Sequence, residues 1–154
     1  MMGEPTLAGF LTFLRNIANI NTTVLPDTSP VITFAFNYAM NICSDLLPLL
    51  SLAPGNFLYI TAVYNLGTDI LYTYAQDQPG QVYFTQVQQK YQLHTFVSGV
   101  VTFAGDEGTQ SSLTVPEAFK GLTIANLQNL KTPYGRTYLQ IVQDIGSLSL
   151  LSVA

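Results

Sequence analysis

From Thr6 to Leu93 the apolar residues recur at three- and four-residue steps, and the period breaks only at proline, glycine and clusters of turn residues. That pattern commits the first half of the chain to helices. Thr6 is placed to cap a first helix over about residues 7–19, with Leu7, Phe10, Leu11, Leu14 and Ile17 or Ala18 as its stripe. The loop "NTTVLPDTSP" follows, with Thr28 and Ser29 as caps and Pro30 opening a second helix over about 30–47. This helix is apolar on most sides and is expected to be central. Pro48 and "SLAPGN" stop it. A third helix is expected over about 56–76, with Phe57, Ile60, Tyr64, Ile70 or Leu71, and Tyr74 facing inward. "QDQPG" breaks it, and "QVYFTQVQQKYQL" resumes as a shorter fourth helix with glutamines on its outer face.

Beyond Leu93 the period changes. The stretch "HTFVSGVVTFAGDEGTQSSLTV" is rich in β-branched residues, and its "GDEG" centre, carrying Asp106 and Glu107, is a turn signal. A β-hairpin or extended loop over about 95–115, projecting from the helical body, is the expectation. Thr114 to Glu117 fits a capping box before "AFKGLTIANLQNL". The last helix begins at "TPYG": Pro133 suits a first helical turn, and the hydroxyl of Thr132 can cap it. Tyr134, Tyr138, Ile141, Val142 and Ile145 form its stripe. The tail "GSLSLLSVA" has no charge and alternates like a strand, which predicts an extended arm over 146–154 presenting Leu148, Leu150 and Leu151. The chain therefore reads as one mainly α domain: a small helical bundle (about 6–93 and 116–145), a projecting hairpin and a C-terminal arm.

Such a body has to cover its surface, and charge is scarce. Charged residues make up 9 % of the 154 residues, where about 25 % is usual, and hydrophobic residues make up 48 %. Much of the surface must be neutral polar or buried against something else, as in a subunit of an assembly; a secreted or otherwise low-charge monomer is the alternative. A membrane is a poor explanation. The uncharged run Leu46 to Thr68 is long enough to span a bilayer, but Pro48, Pro54, Gly55, Asn56 and Asn65 interrupt it. The first residues, "MMGEPTLAGF", lack a cationic segment, so no signal peptide is expected. The single cysteine, Cys43, excludes an internal disulfide and fits an intracellular site of synthesis. It shares a helical face with Ala39 and Leu47 and reads as a buried small residue.

No catalytic, cofactor or metal site assembles from these residues, and an enzyme is not expected. The one histidine, His94, stands at a helix–hairpin junction, where a bond to a backbone carbonyl is the expectation. Asp106 and Glu107 lack the spacing of a calcium loop. Asp45 and Asp69 lie on separate helices, and no phosphate cradle, CxxC or HExxH motif occurs. Five cations (Arg15, Lys90, Lys120, Lys131 and Arg136) against nine acids give a net charge of −4, which disfavours tight nucleic-acid binding. The tyrosines Tyr59, Tyr64, Tyr72 and Tyr74 lie on more than one face and read as core or interface residues.

The order of these elements resembles the head-to-tail adaptor (head-completion) proteins of tailed bacteriophages. The resemblance rests on "GVVTFAGDEGTQSSLTV" (Gly99–Val115) and on "TPYGRTYLQIVQDIG" (Thr132–Gly146). The N-terminal half carries no motif of that family and is more apolar than the family leads one to expect. The resemblance implies a structural virion protein of the neck, made in the host cytoplasm. Such adaptors form a ring, usually of twelve copies, that docks under the portal protein, extends the DNA channel and receives the next neck or tail protein. DNA passes through without specific binding, and an acid-lined wall would let it slide. Asp106, Glu107, Lys131, Tyr134, Arg136, Leu148, Leu150 and Leu151 are then the candidate contacts with the portal or a neighbouring subunit. Two other readings stay open: another ring component such as a stopper or tail terminator, and a small helical protein with a ligand pocket between its tyrosine-rich helices.

Overall fold

The computed structural model describes residues 4–45, 56–95, 103–106, 109–112 and 124–152. These residues form a mainly helical chain: α1 (Leu7–Asn16), α2 (Pro30–Ser44), α3 (Phe57–Tyr74), α4 (Tyr83–Lys90), β1 (Phe103–Asp106), β2 (Thr109–Ser112), α5 (Ile124–Asn129) and α6 (Pro133–Ser152). The helix starts follow their local chemistry. Thr6 Oγ1 accepts from the Gly9 amide at 3.0 Å, Asn56 Oδ1 accepts from the Leu58 amide at 2.8 Å, and Pro30 occupies the first turn of α2. The Leu47 position, residues 51–55 of the "SLAPGN" stop, Glu107, the Thr114–Glu117 capping box and Lys120 lie outside the described residues.

The central helix is α3, not α2. Helices α1, α2, α4 and α6 all pack on α3, and Tyr59, Ala62, Val63, Leu66, Leu71 and Tyr72 are buried along it. Phe57 and Tyr74, expected to face inward, are 61 % and 57 % exposed. The reason is that α3 is apolar on nearly every side, so its pattern does not distinguish a buried face from an exposed one. Phe57 lines an open groove beside α1, and Tyr74 meets Phe34 of α2 at the surface. On α2, likewise, Phe34 and Tyr38 stay half-exposed while Ile32, Ala35, Ala39 and Cys43 are buried. Phe10 of α1 fills the crossing with α3, stacking on Phe36 with ring centroids 5.8 Å apart. A Cβ at Gly67 would lie 2.9 Å from the Phe10 ring, so α3 needs its glycine to let α1 approach.

Polar side chains bind the connections. Helix α1 ends at Asn16, three residues early, because Asn19 turns into the left-handed region at φ 55°. Arg15 then organises the loop: its guanidinium donates to the carbonyls of Ile20 (2.6 Å) and Leu25 (2.8 Å) and pairs with Asp27. The loop is thereby held while Ile20, Val24 and Leu25 enter the core. Where "QDQPG" breaks the chain, Gln88 Nε2 donates to the carbonyls of Tyr72 (3.0 Å) and Ala75 (2.9 Å), satisfying the end of α3. Asp77 caps α4, accepting from the amides of Phe84 (2.7 Å) and Thr85 (3.0 Å).

Strands β1 and β2 pair antiparallel with Phe103 opposite Ser112 and Asp106 opposite Thr109. These are the described strands of the expected 95–115 hairpin, and the described residues do not support its projection from the body. The C-terminal arm is corrected. Residues 146–152, expected to be extended, continue α6. A nucleated helix gains one hydrogen bond for each residue added, whereas an extended arm gains none until it meets a partner strand. The short Ser/Leu alternation is too weak to reverse that preference.

Candidate functional site

The start of α6 is a buried polar junction. Thr132 is fully buried; its Oγ1 accepts from the Gly135 amide at 3.0 Å and donates to Oδ1 of Asp69 on α3. A Cβ at Gly135 would sit 2.0 Å from the Asn129 carbonyl oxygen and 2.9 Å from Asp69 Oδ1. The "TPYG" segment is therefore an internal fastening: threonine caps and bridges, proline starts the helix, and glycine leaves room for α5 and the carboxylate. Asp69 is 5 % exposed. Burial pushes its carboxyl up to about 6, against the opposing effect of the Thr132 hydrogen bond.

The eight candidate contact residues do not form one site. Lys131 Nζ donates to the carbonyls of Gln92 (2.7 Å) and Thr95, so this cation ties α6 to the segment after α4. Tyr134 packs edge-on against Tyr72, with centroids 5.5 Å apart, and against Phe13 at 6.4 Å. Tyr138 is buried one turn further on. Arg136 is exposed and, among the described residues, has no partner. Asp106 ends β1, Glu107 is outside the described residues, and Leu148, Leu150 and Leu151 lie in the last turns of α6. His94 bonds the Gln88 side-chain oxygen at 3.2 Å rather than a backbone carbonyl, because Gln88 already reaches back across this junction. Cys43 is fully buried, and burial pushes its thiol up to about 12, so it is an inert core residue.

Two apolar surfaces were not legible as sites in the sequence. The first is a ledge formed by Phe34, Tyr38 and Tyr74, each about half exposed. Phe34 stacks on Tyr38 at 5.8 Å and meets the edge of Tyr74 at 5.4 Å, so the three rings form one ordered patch. The second is a groove of about 450 Å³ between α1 and α3, lined by Phe13, Ile17, Phe57, Ile60 and Tyr64 among others. Along α3 the groove uses Phe57, Ile60, Thr61 and Tyr64, whereas a cleft beside the ledge uses Leu66, Asp69, Ile70 and Thr73. At ~100° per residue these sets are centred roughly 180° apart on the helix. Tyr74, the ledge's residue on α3, lies ~90° from the groove centre and at the other end of the helix, so ledge and groove are two separate apolar surfaces.

Beside the ledge lies a cleft of about 370 Å³. Tyr38, Tyr74 and Tyr138 supply aromatic walls, Gln128 and Asn129 supply amides, and Asp69 supplies a carboxylate. The other Asp69 oxygen, Oδ2, has no hydrogen-bond partner among the described residues. Among the described residues no group of three His, Cys, Asp or Glu side chains is placed to hold a metal ion. This arrangement can hold a partner or a ligand; it places no nucleophile beside a base. Among the described residues no helix is long and apolar enough to cross a membrane.

Fold and surface together define a mainly helical module with two exposed apolar surfaces. Comparisons with protein-family models, with curated proteins and with solved structures find no match to this chain.

Proposed function

We propose that this chain is a structural subunit of a closed ring, and specifically the head-to-tail adaptor of a tailed bacteriophage. One observation carries the reading: the ledge and the groove are different surfaces, the groove along the first half of α3 and the ledge at its last residue. A two-fold dimer uses one patch twice, whereas a ring joins one face of each subunit to a different face of the next. The aromatic ledge of one copy, seated in the α1–α3 groove of its neighbour, makes such a contact. The low charge of the chain fits permanent interfaces, which resemble a domain core cut in half. In this reading the β1–β2 hairpin projects from the body, and it and the end of α6 reach the portal or a neighbouring subunit. The next neck protein docks on the opposite rim, and the DNA channel runs through the ring.

The test is a complementation experiment on two variants, Phe57→Ser in the groove and Tyr74→Ser on the ledge. Wild-type protein mixed with portal rings should give a ring of fixed copy number under the portal by electron microscopy. Each variant alone should fail to close a ring. The two mixed should stop at a heterodimer by sedimentation, because only one of the possible junctions has both faces intact. A variant that dimerises on its own identifies an isologous contact and defeats the ring reading. Wild-type protein that stays monomeric with the portal defeats the adaptor reading and favours the small ligand-binding protein.

A further inference from the structure

The cleft beside the ledge collects polar groups that the fold leaves unused. Tyr38 of α2, Tyr74 of α3, Asn129 of α5 and Tyr138 of α6 all line it. None of these four side chains has a hydrogen-bond partner among the described residues. Tyr138 is 7 % exposed, yet its hydroxyl is not sealed from solvent. Buried polar side chains are ordinarily bonded, and a phenol or an amide can both donate and accept. The other polar groups of the cleft are already engaged. Gln128 donates its amide nitrogen to the Leu93 carbonyl at 2.7 Å. Asp69 is fastened to Thr132 and, at 5 % exposure, offers no exposed charge to a cation. Among the described residues no cation lines the cleft, which disfavours an anion.

A volume of about 370 Å³ is within the range of small-ligand sites. The ligand that matches is neutral, carries two-way hydrogen-bonding groups on several sides, and still offers apolar surface to aromatic walls. A flat heteroaromatic ring keeps its donors and acceptors in one plane and stacks best on parallel ring faces. Here the unused groups come from four different helices. Tyr38 already gives one face to Phe34, and Tyr74 meets Phe34 edge-on. A sugar ring fits better: its hydroxyls stand around the rim, each both donor and acceptor, and its C–H groups make an apolar face for the negative face of a phenol.

We propose that the cleft between α2, α3, α5 and α6 is a binding site for a neutral sugar, with Tyr38, Tyr74, Asn129 and Tyr138 as its hydrogen-bonding residues. The site belongs to the single chain and does not rest on the ring reading. Both use Tyr38 and Tyr74, but the ledge needs their apolar rings and the sugar needs their hydroxyls.

That difference supplies the test. The methyl glycosides of glucose, galactose, mannose and N-acetylglucosamine are titrated into the isolated protein while the amide signals of Thr73, Asn129 and Gly135 are followed by NMR. Adenosine and triproline serve as a flat heteroaromatic and a proline-rich peptide. Saturable millimolar binding of at least one glycoside is expected, with adenosine and triproline at least tenfold weaker. Tyr38→Phe and Tyr74→Phe each remove one hydroxyl from a half-exposed ring and leave the ring in place. Each should weaken the glycoside by about threefold to tenfold, and the double variant by at least tenfold. No saturation with any glycoside, or unchanged affinity in the double variant, overturns the site. Tighter binding of adenosine or of triproline overturns the sugar and assigns the cleft to that class instead. The double variant keeps the apolar ledge, so on the ring reading it should still assemble on the portal. Failure of wild-type assembly with glycoside binding intact overturns the ring and leaves the sugar site standing.

Discussion

Thr132 and Asp69 stand 63 positions apart in the chain and share a buried hydrogen bond, the threonine hydroxyl donating to the carboxylate while accepting from the Gly135 amide. One side chain thus caps α6 and fastens it to α3. Replacing Thr132 with valine keeps the shape and removes both bonds, leaving a buried carboxylate and an unsatisfied helix amide. The expected loss is about 2–4 kcal/mol of stability in urea denaturation. Serine, which restores the oxygen, should recover most of it.

Gly135 offers the complementary test. Glycine to alanine inside a helix ordinarily stabilises by about 0.5–1 kcal/mol. Here the added carbon would fall 2.0 Å from the Asn129 carbonyl oxygen, and that atom is backbone, so α5 or α6 must shift. Gly135→Ala should therefore destabilise by about 2 kcal/mol or more, read as a drop in Tm. A variant as stable as the parent would show that α5 does not press on α6.

Asp69 makes stability depend on pH in a direction opposite to most carboxylates. Its carboxyl is pushed up to about 6 from 3.8 by burial. Between those values the folded protein keeps a proton that the unfolded chain has lost. This contribution is fully present below about pH 3.8 and is lost as pH rises through about 6, by as much as ~3 kcal/mol. Measured as the difference between wild type and Asp69→Asn, the loss should appear between pH 4 and 6.5 and flatten above. A difference that is level across this window would mean that water or a partner group compensates the charge.

Cys43 should behave as a reporter of unfolding. It is fully buried, and its thiol is pushed up to about 12 from 9.0, so its thiolate fraction at pH 8 falls about a thousandfold. Labelling by a disulfide-exchange reagent should be slow in buffer and should accelerate in step with the loss of helical circular dichroism in urea. Stoichiometric labelling within seconds in buffer would show that the α2–α3 interface opens freely.

Helix starts were determined locally. Thr6, Pro30, Asn56 and Pro133 act through hydrogen bonds and dihedral restrictions that involve only their nearest neighbours, and the structure starts helices where they stand. The Thr132 cap belongs to the same class, and so does the burial of Cys43 on a face shared with Ala39. Which face of α3 is buried, and which helix is central, was decided only by tertiary packing. A helix that is apolar all round presents no stripe, and its exposed residues are set by where its neighbours end. The same holds for the Asp69 cleft and the two apolar faces. A lone aspartate in an apolar run and scattered tyrosines acquire a joint meaning only when α2, α3, α5 and α6 bring them together. The end of α6 went against its pattern for a related reason: a period-2 alternation needs a partner strand, and a helix that has already started needs only its own backbone.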